Sequence, residues 1–145
     1  LNMLSTKGKK ARKKRNILSA YIFCVKAREL VTKSMSQYHL TIIDRYYESA
    51  LCYHYLRGEL CKEIYEIYSQ LIKTDLNVFM ELPPDICFER LVNRTKLSLY
   101  ETKENLDRAY YFYHTYCKQF WKIDASLSSD EITEQIYLEI LKHFF

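Results

Sequence analysis

The chain has 145 residues and 48% apolar content, enough for a core and too much for wholesale disorder. Its two glycines, Gly8 and Gly58, cannot build a GxxxxGKS/T or GxGxxG phosphate loop, and they also exclude collagen-like and linker-rich readings. The net charge of +4 is uneven: seven of 22 basic residues fall between Lys7 and Arg15 with no acid beside them, leaving 15 against 18 acids and −3 for 16–145.

That run predicts a solvated, disordered basic arm over 1–16, with the folded domain in 17–145. Nucleic-acid contact is expected only through 7–15, because the body is not basic. From 17 to 35, Ile17, Leu18, Tyr21, Ile22, Val25, Leu30 and Val31 recur at helical spacing. Residues 40–43, Leu-Thr-Ile-Ile, read as a strand buried on both faces that stops at Asp44-Arg45. Two helices over 47–55 and 59–73 follow, separated by Arg57-Gly58, with Gly58 placed as a helix stop. A second buried strand spans 76–82, ended by Pro83-Pro84, and a helix covers 85–93 with Ile86, Leu91 and Val92 inward. After a polar interval over 94–98 come a tyrosine-rich helix over 101–117 and a third strand over 120–124. Ser128 and Glu131 form a capping box that opens a helix to about residue 142.

Strands alternating with helices predict an α/β fold, a three-layer parallel sheet with helices on both faces. Three strands are few for such a fold, and the chain begins at Leu1, so the expectation is a domain incomplete at its N-terminus. The five cysteines are scattered without a CxxC pair, which argues against a disulfide framework or zinc site and fits a cytoplasmic setting. No apolar run of about 18 residues occurs, so no membrane span is expected.

Ligands of parallel sheets bind beyond the carboxyl ends of the strands, where Asp44 and Arg45 stand. An Asp there can hold hydrated Mg²⁺, and an Arg can fork onto a phosphate. On the residues alone, a local Asp–Arg ion pair is the competing reading. The four histidines have no metal-like spacing, and no Ser–His–Asp or Cys–His arrangement is visible.

The ordered set Asp44-Arg45-Tyr46, Ser49, Tyr53, Arg57-Gly58, Leu82-Pro83-Pro84-Asp85, Glu89-Arg90-Leu91, Arg94 and Ile123-Asp124-Ala125-Ser126 resembles the thymidylate kinases over roughly residues 20–140. The resemblance implies a P-loop nucleotide kinase-like fold, ATP and Mg²⁺ as cofactors, and a nucleoside monophosphate such as dTMP as acceptor, for dTTP synthesis. It assigns the acceptor phosphate to Arg45, Mg²⁺ to Asp44, and the acceptor pocket to Ser49 and Tyr53. Phe23 takes the place of the aromatic that stacks on the base, with plain core packing as its alternative. Arg94, Asp124 and Ala125 fall near the adenine of ATP, with a solvated helix-end charge as the alternative for Arg94. A homodimer is a further implication, with the helix bearing Phe23 as its site.

Three departures accompany the resemblance. No phosphate loop is present, the base-reading arginine is replaced by Ala27 between Lys26 and Arg28, and the lid reads Ser98-Leu99-Tyr100-Glu101 without its arginine. Arg28 is therefore the neighbouring candidate for the acceptor pocket. The expected function is the acceptor and lid side of a phosphotransferase, inactive as this chain alone. A degenerate, non-catalytic relative that binds nucleotide or a protein is the alternative. A structural domain tethered to nucleic acid by its arm is a third reading.

Overall fold

The computed structural model describes residues 2–92, 94, 98 and 100–145. The last residue of the expected helix over 85–93, three of the polar interval (95–97) and Leu99 of the lid lie outside them. The chain divides into two compact units, Leu1–Lys73 and Thr74–Phe145.

The first unit is helical. Helix α1 spans Asn2–Gln37, α2 Tyr47–Leu56 and α3 Lys62–Tyr68. Composition predicts disorder for 1–16, whereas α1 runs through 2–16 and joins the expected helix over 17–35. The physical reason is long-range: Arg12 donates to Glu59 at 2.9 and 2.7 Å, and Lys13 pairs with Glu63, 47 and 50 residues away. Ala20 and Val31 of α1 are buried together with Leu51, Cys52, Ile64, Tyr68 and Leu71 to form this unit's core. Gly58 ends α2 in the left-handed conformation, φ 65°, with its N–H donated to the Tyr55 carbonyl at 2.9 Å.

The expected strand over 40–43 is not formed. These residues carry no ladder bonds, and Ile42 is 79% exposed rather than buried on both faces. Apolar, β-branched character favours extension, but a strand exists only when a neighbour takes its N–H and C=O groups. Among the described residues none does.

The second unit holds the sheet. Strand β1 (Val78–Glu81) pairs in parallel with β2 (Trp121–Asp124), in register Val78 with Trp121 through Glu81 with Asp124. Between them run α4 (Pro84–Val92) and α5 (Lys103–Tyr116), the crossover that parallel strands require. Phe112 and Ile123 are fully buried, with Leu82, Leu91 and Cys117 around them. Helix α6 (Ser129–Phe144) opens with the expected capping box, Ser128 and Glu131 bonding reciprocally. The parallel α/β character is thus observed with two strands. The third strand and the three-layer arrangement are absent among the described residues.

A side chain at Gly58 meets no neighbour within 4 Å, so only backbone strain opposes it. Gly58→Ala is expected to destabilise the first unit by about 1–2 kcal/mol, measured by urea unfolding.

Candidate functional site

Asp44 and Arg45 lie at the bend between the 40–43 segment and α2. Arg45 holds φ at 61°, a left-handed conformation that a residue with a Cβ adopts at a cost of about 1–2 kcal/mol. Its Nη1 donates to the Tyr53 hydroxyl at 3.4 Å, two turns into α2. Ser49 and Tyr53 are one turn apart and share a helix face. The local Asp44–Arg45 ion pair is not formed among the described residues, and both side chains are exposed. Arg45 and Tyr53 are thus in contact, Ser49 lies one turn before Tyr53 on α2, and Asp44 precedes Arg45 at the bend.

Tyr46 and Glu48 anchor this bend from inside, both buried. Burial pushes the Glu48 carboxyl above the usual glutamate range and the Tyr46 phenol up as well. Phe23 packs edge-on against Tyr68, ring centroids 5.6 Å apart, and stays about one-third exposed. Arg28 is exposed on α1, five residues further on. Burial raises the Tyr68 phenol to about 12 and lowers His54, whose Nε2 lies 3.5 Å from the Tyr68 hydroxyl.

In the second unit the end of β2 forms a tight turn. Asp124 accepts from the Ser126 N–H at 2.8 Å, and hydrogen bonds from Ser126 hold its carboxyl below the usual range. Ala125 donates its N–H to the Glu81 carbonyl at 2.9 Å, extending the ladder by one step. Its own carbonyl accepts from Arg90 Nη1 at 3.1 Å. Arg94 is not joined to this turn. Its Nη1 donates to Glu101 at 3.3 Å, and Glu101 also accepts from the Ser98 N–H.

Sequence reasoning did not assign Arg90 a place at this turn, although the family-like Glu89-Arg90-Leu91 stretch contains it. It also missed Glu81, whose carboxylate meets His114, Lys122 at 3.5 Å and the Tyr110 hydroxyl at 3.2 Å. Lys122 lies 3.0 Å from His114 Nδ1. Nothing local signals that cluster, because its members come from β1, α5 and β2.

Asp44 fits Mg²⁺ as one carboxylate ligand, the usual protein share when phosphates and waters supply the rest. The triphosphate of ATP does not fit these residues. Gly8 sits inside α1 and Gly58 at a helix end, so among the described residues no glycine-rich backbone cradle is formed.

Two predictions follow from the strained bend. Arg45→Gly is expected to be more stable than Arg45→Ala by about 1 kcal/mol in urea unfolding, since glycine adopts φ 61° freely. For Glu48, the raised carboxyl means the folded state binds its proton more tightly than the unfolded state. Stability therefore falls as pH rises from the ordinary value of 4.5 through the raised one, and Glu48→Gln is expected to remove that decline in a pH series of melting temperatures.

A scan against family models matches the chain to Thymidylate kinase over residues 2–136. It is similar to a probable thymidylate kinase of Archaeoglobus fulgidus, 28% identical over 114 residues, covering 77% of this chain and 58% of that protein. It is also similar to probable thymidylate kinase 1 of Saccharolobus solfataricus, 30% identical over 108 residues, covering 73% of this chain and 57% of that protein. No solved structure matches it. The chain spans just over half the length of the curated relatives it matches. With 2–136 matched in one stretch, the chain belongs to the thymidylate kinase family, and that membership implies a P-loop kinase fold.

Proposed function

We propose that this chain supplies the acceptor and lid side of a thymidylate kinase-like phosphotransferase, which passes the γ-phosphate of ATP to dTMP. The observation that carries the reading is the left-handed Arg45, held by Tyr53 beside Asp44. Strain of this kind persists only where the surroundings enforce it, and it gathers at ligand sites. The bend turns a guanidinium and a carboxylate outward together at the start of α2. A guanidinium presents two parallel donors to a phosphate, while Ser49 and Tyr53 offer hydroxyls to sugar and base. Asp44 would hold one position of a hydrated Mg²⁺, which neutralises phosphate charge when bound.

Phosphoryl transfer needs positioning and charge neutralisation rather than a covalent nucleophile, and this residue set suits that need. Phe23 and Arg28 complete the proposed acceptor side from α1. Asp124, Ala125 and Arg94 are the proposed adenine side, with Arg90 added because it fixes the Ala125 carbonyl. The proposed setting is the cytoplasm, with a homodimer as the assembly. The complete three-layer sheet is likewise part of this proposal.

The second reading, a relative that binds nucleotide without turning it over, is favoured by Arg94, which is engaged by Glu101. Ala27 at the base-reading position points the same way.

In calorimetric titration the chain is expected to bind dTMP saturably. Arg45→Ala should weaken binding roughly 10- to 100-fold, as loss of a charge-assisted hydrogen bond predicts. The chain alone should show no ATP-dependent formation of dTDP, because it has no cradle for the triphosphate. Wild-type affinity in Arg45→Ala would sink the acceptor reading, and measurable turnover would sink the claim of inactivity.

A further inference from the structure

We propose that Arg12, in the basic arm, is a positioning residue for the acceptor site, acting through Glu59 and Arg57 on the Tyr53 that accepts from Arg45. The inference rests on the reading of Arg45 given above, and it assigns a role to the one sequence feature that reading leaves unused.

The connection is continuous within the first unit. Glu59 follows the Gly58 turn, and its side chain is only 9% exposed. Its Oε1 accepts from Nε and Nη2 of Arg12 at 2.9 and 2.7 Å. Its Oε2 makes no hydrogen bond and lies 3.9 Å from both Arg57 Nη1 and His54 Nδ1. The Arg57 guanidinium sits over the Tyr53 ring, 6.0 Å from its centroid. The Tyr53 hydroxyl in turn accepts from Arg45. Backbone bonds fix the same corner, with Arg57 N–H donated to Tyr53 O at 3.2 Å and Glu59 N–H to His54 O at 2.8 Å.

A carboxylate this buried needs a cation in contact. His54 is a poor source, because burial favours its neutral form. Arg12 therefore carries the neutralisation, and Arg57 keeps its position between Glu59 and the Tyr53 ring. Without Arg12, Glu59 would draw Arg57 from 3.9 Å into hydrogen-bond contact and away from that ring. Tyr53 would then lose the cation packed on its face, and Arg45 its fixed hydroxyl partner. The relay is local, four side chains long, and each link is a contact that substitution can break.

The test places 3-fluorotyrosine at position 53 of the full chain and reads its ¹⁹F resonance without ligand, alongside the dTMP dissociation constant. Arg12→Ala is expected to shift the resonance and weaken dTMP binding roughly fivefold, a typical coupling between contacting residues. Arg12→Lys keeps a charge but loses the two-pronged contact, and should give an intermediate shift. Lys10→Ala removes a neighbouring exposed charge and should change neither readout. If Arg45→Ala weakens dTMP binding while Arg12→Ala leaves resonance and affinity at wild-type values, the relay is refuted and the acceptor reading stands. If Arg45→Ala leaves affinity unchanged, the acceptor reading fails and the positioning role for dTMP with it. Should Arg12→Ala fail to fold, Arg12→Lys decides, and a wild-type resonance in that variant overturns the relay.

Discussion

A side chain holds a left-handed backbone only when its neighbours give it no cheaper choice, and Arg45 is in that position. Before it, 40–43 forms neither helix nor strand; after it, buried Tyr46 and Glu48 pin the start of α2. Arginine there costs more than glycine would, so the residue that the turn presents matters more than the ease of making it. The proposed acceptor chemistry follows from that geometry: a guanidinium and a carboxylate side by side, with two hydroxyls on the helix they introduce.

Burial of charge organises the first unit around the same helix. Glu59 is almost enclosed, and two arginines and a histidine converge on it. This carboxylate recruits the arm into α1 and sets the corner where α2 ends. In the second unit Glu81 plays a comparable part, gathering His114, Lys122 and Tyr110 where β1 ends. Its backbone carbonyl also holds Ala125, so one residue joins the sheet ladder to the polar cluster. Glu59 follows the end of α2, and Glu81 closes β1 beside the proposed adenine-side turn.

Much of this was legible in the sequence wherever the signal was local. The Ser128–Glu131 capping box, the Gly58 stop, the Pro83-Pro84 boundary and the two strands of the second unit all follow from neighbours within four or five residues. The residues of the proposed acceptor motif are a local signal too, since Arg45, Ser49 and Tyr53 lie within nine residues of one another. What escaped depends on distant partners. Residues 40–43 have strand chemistry without a ladder, and pairing is a property of two segments. The arm has the composition of a disordered tail, yet Glu59 and Glu63 capture two of its cations from 47 and 50 positions away. Arg90 reads as a surface charge until the β2 turn brings a carbonyl to it.

The central claim is that the acceptor nucleotide is held at the bend leading into α2. Mapping of ¹H–¹⁵N shifts during a dTMP titration tests it most directly. The account predicts saturable changes centred on the amides of Asp44, Arg45, Ser49 and Tyr53, lost in Arg45→Ala. Changes confined to 74–145, or an unchanged map in the Arg45→Ala variant, would contradict it.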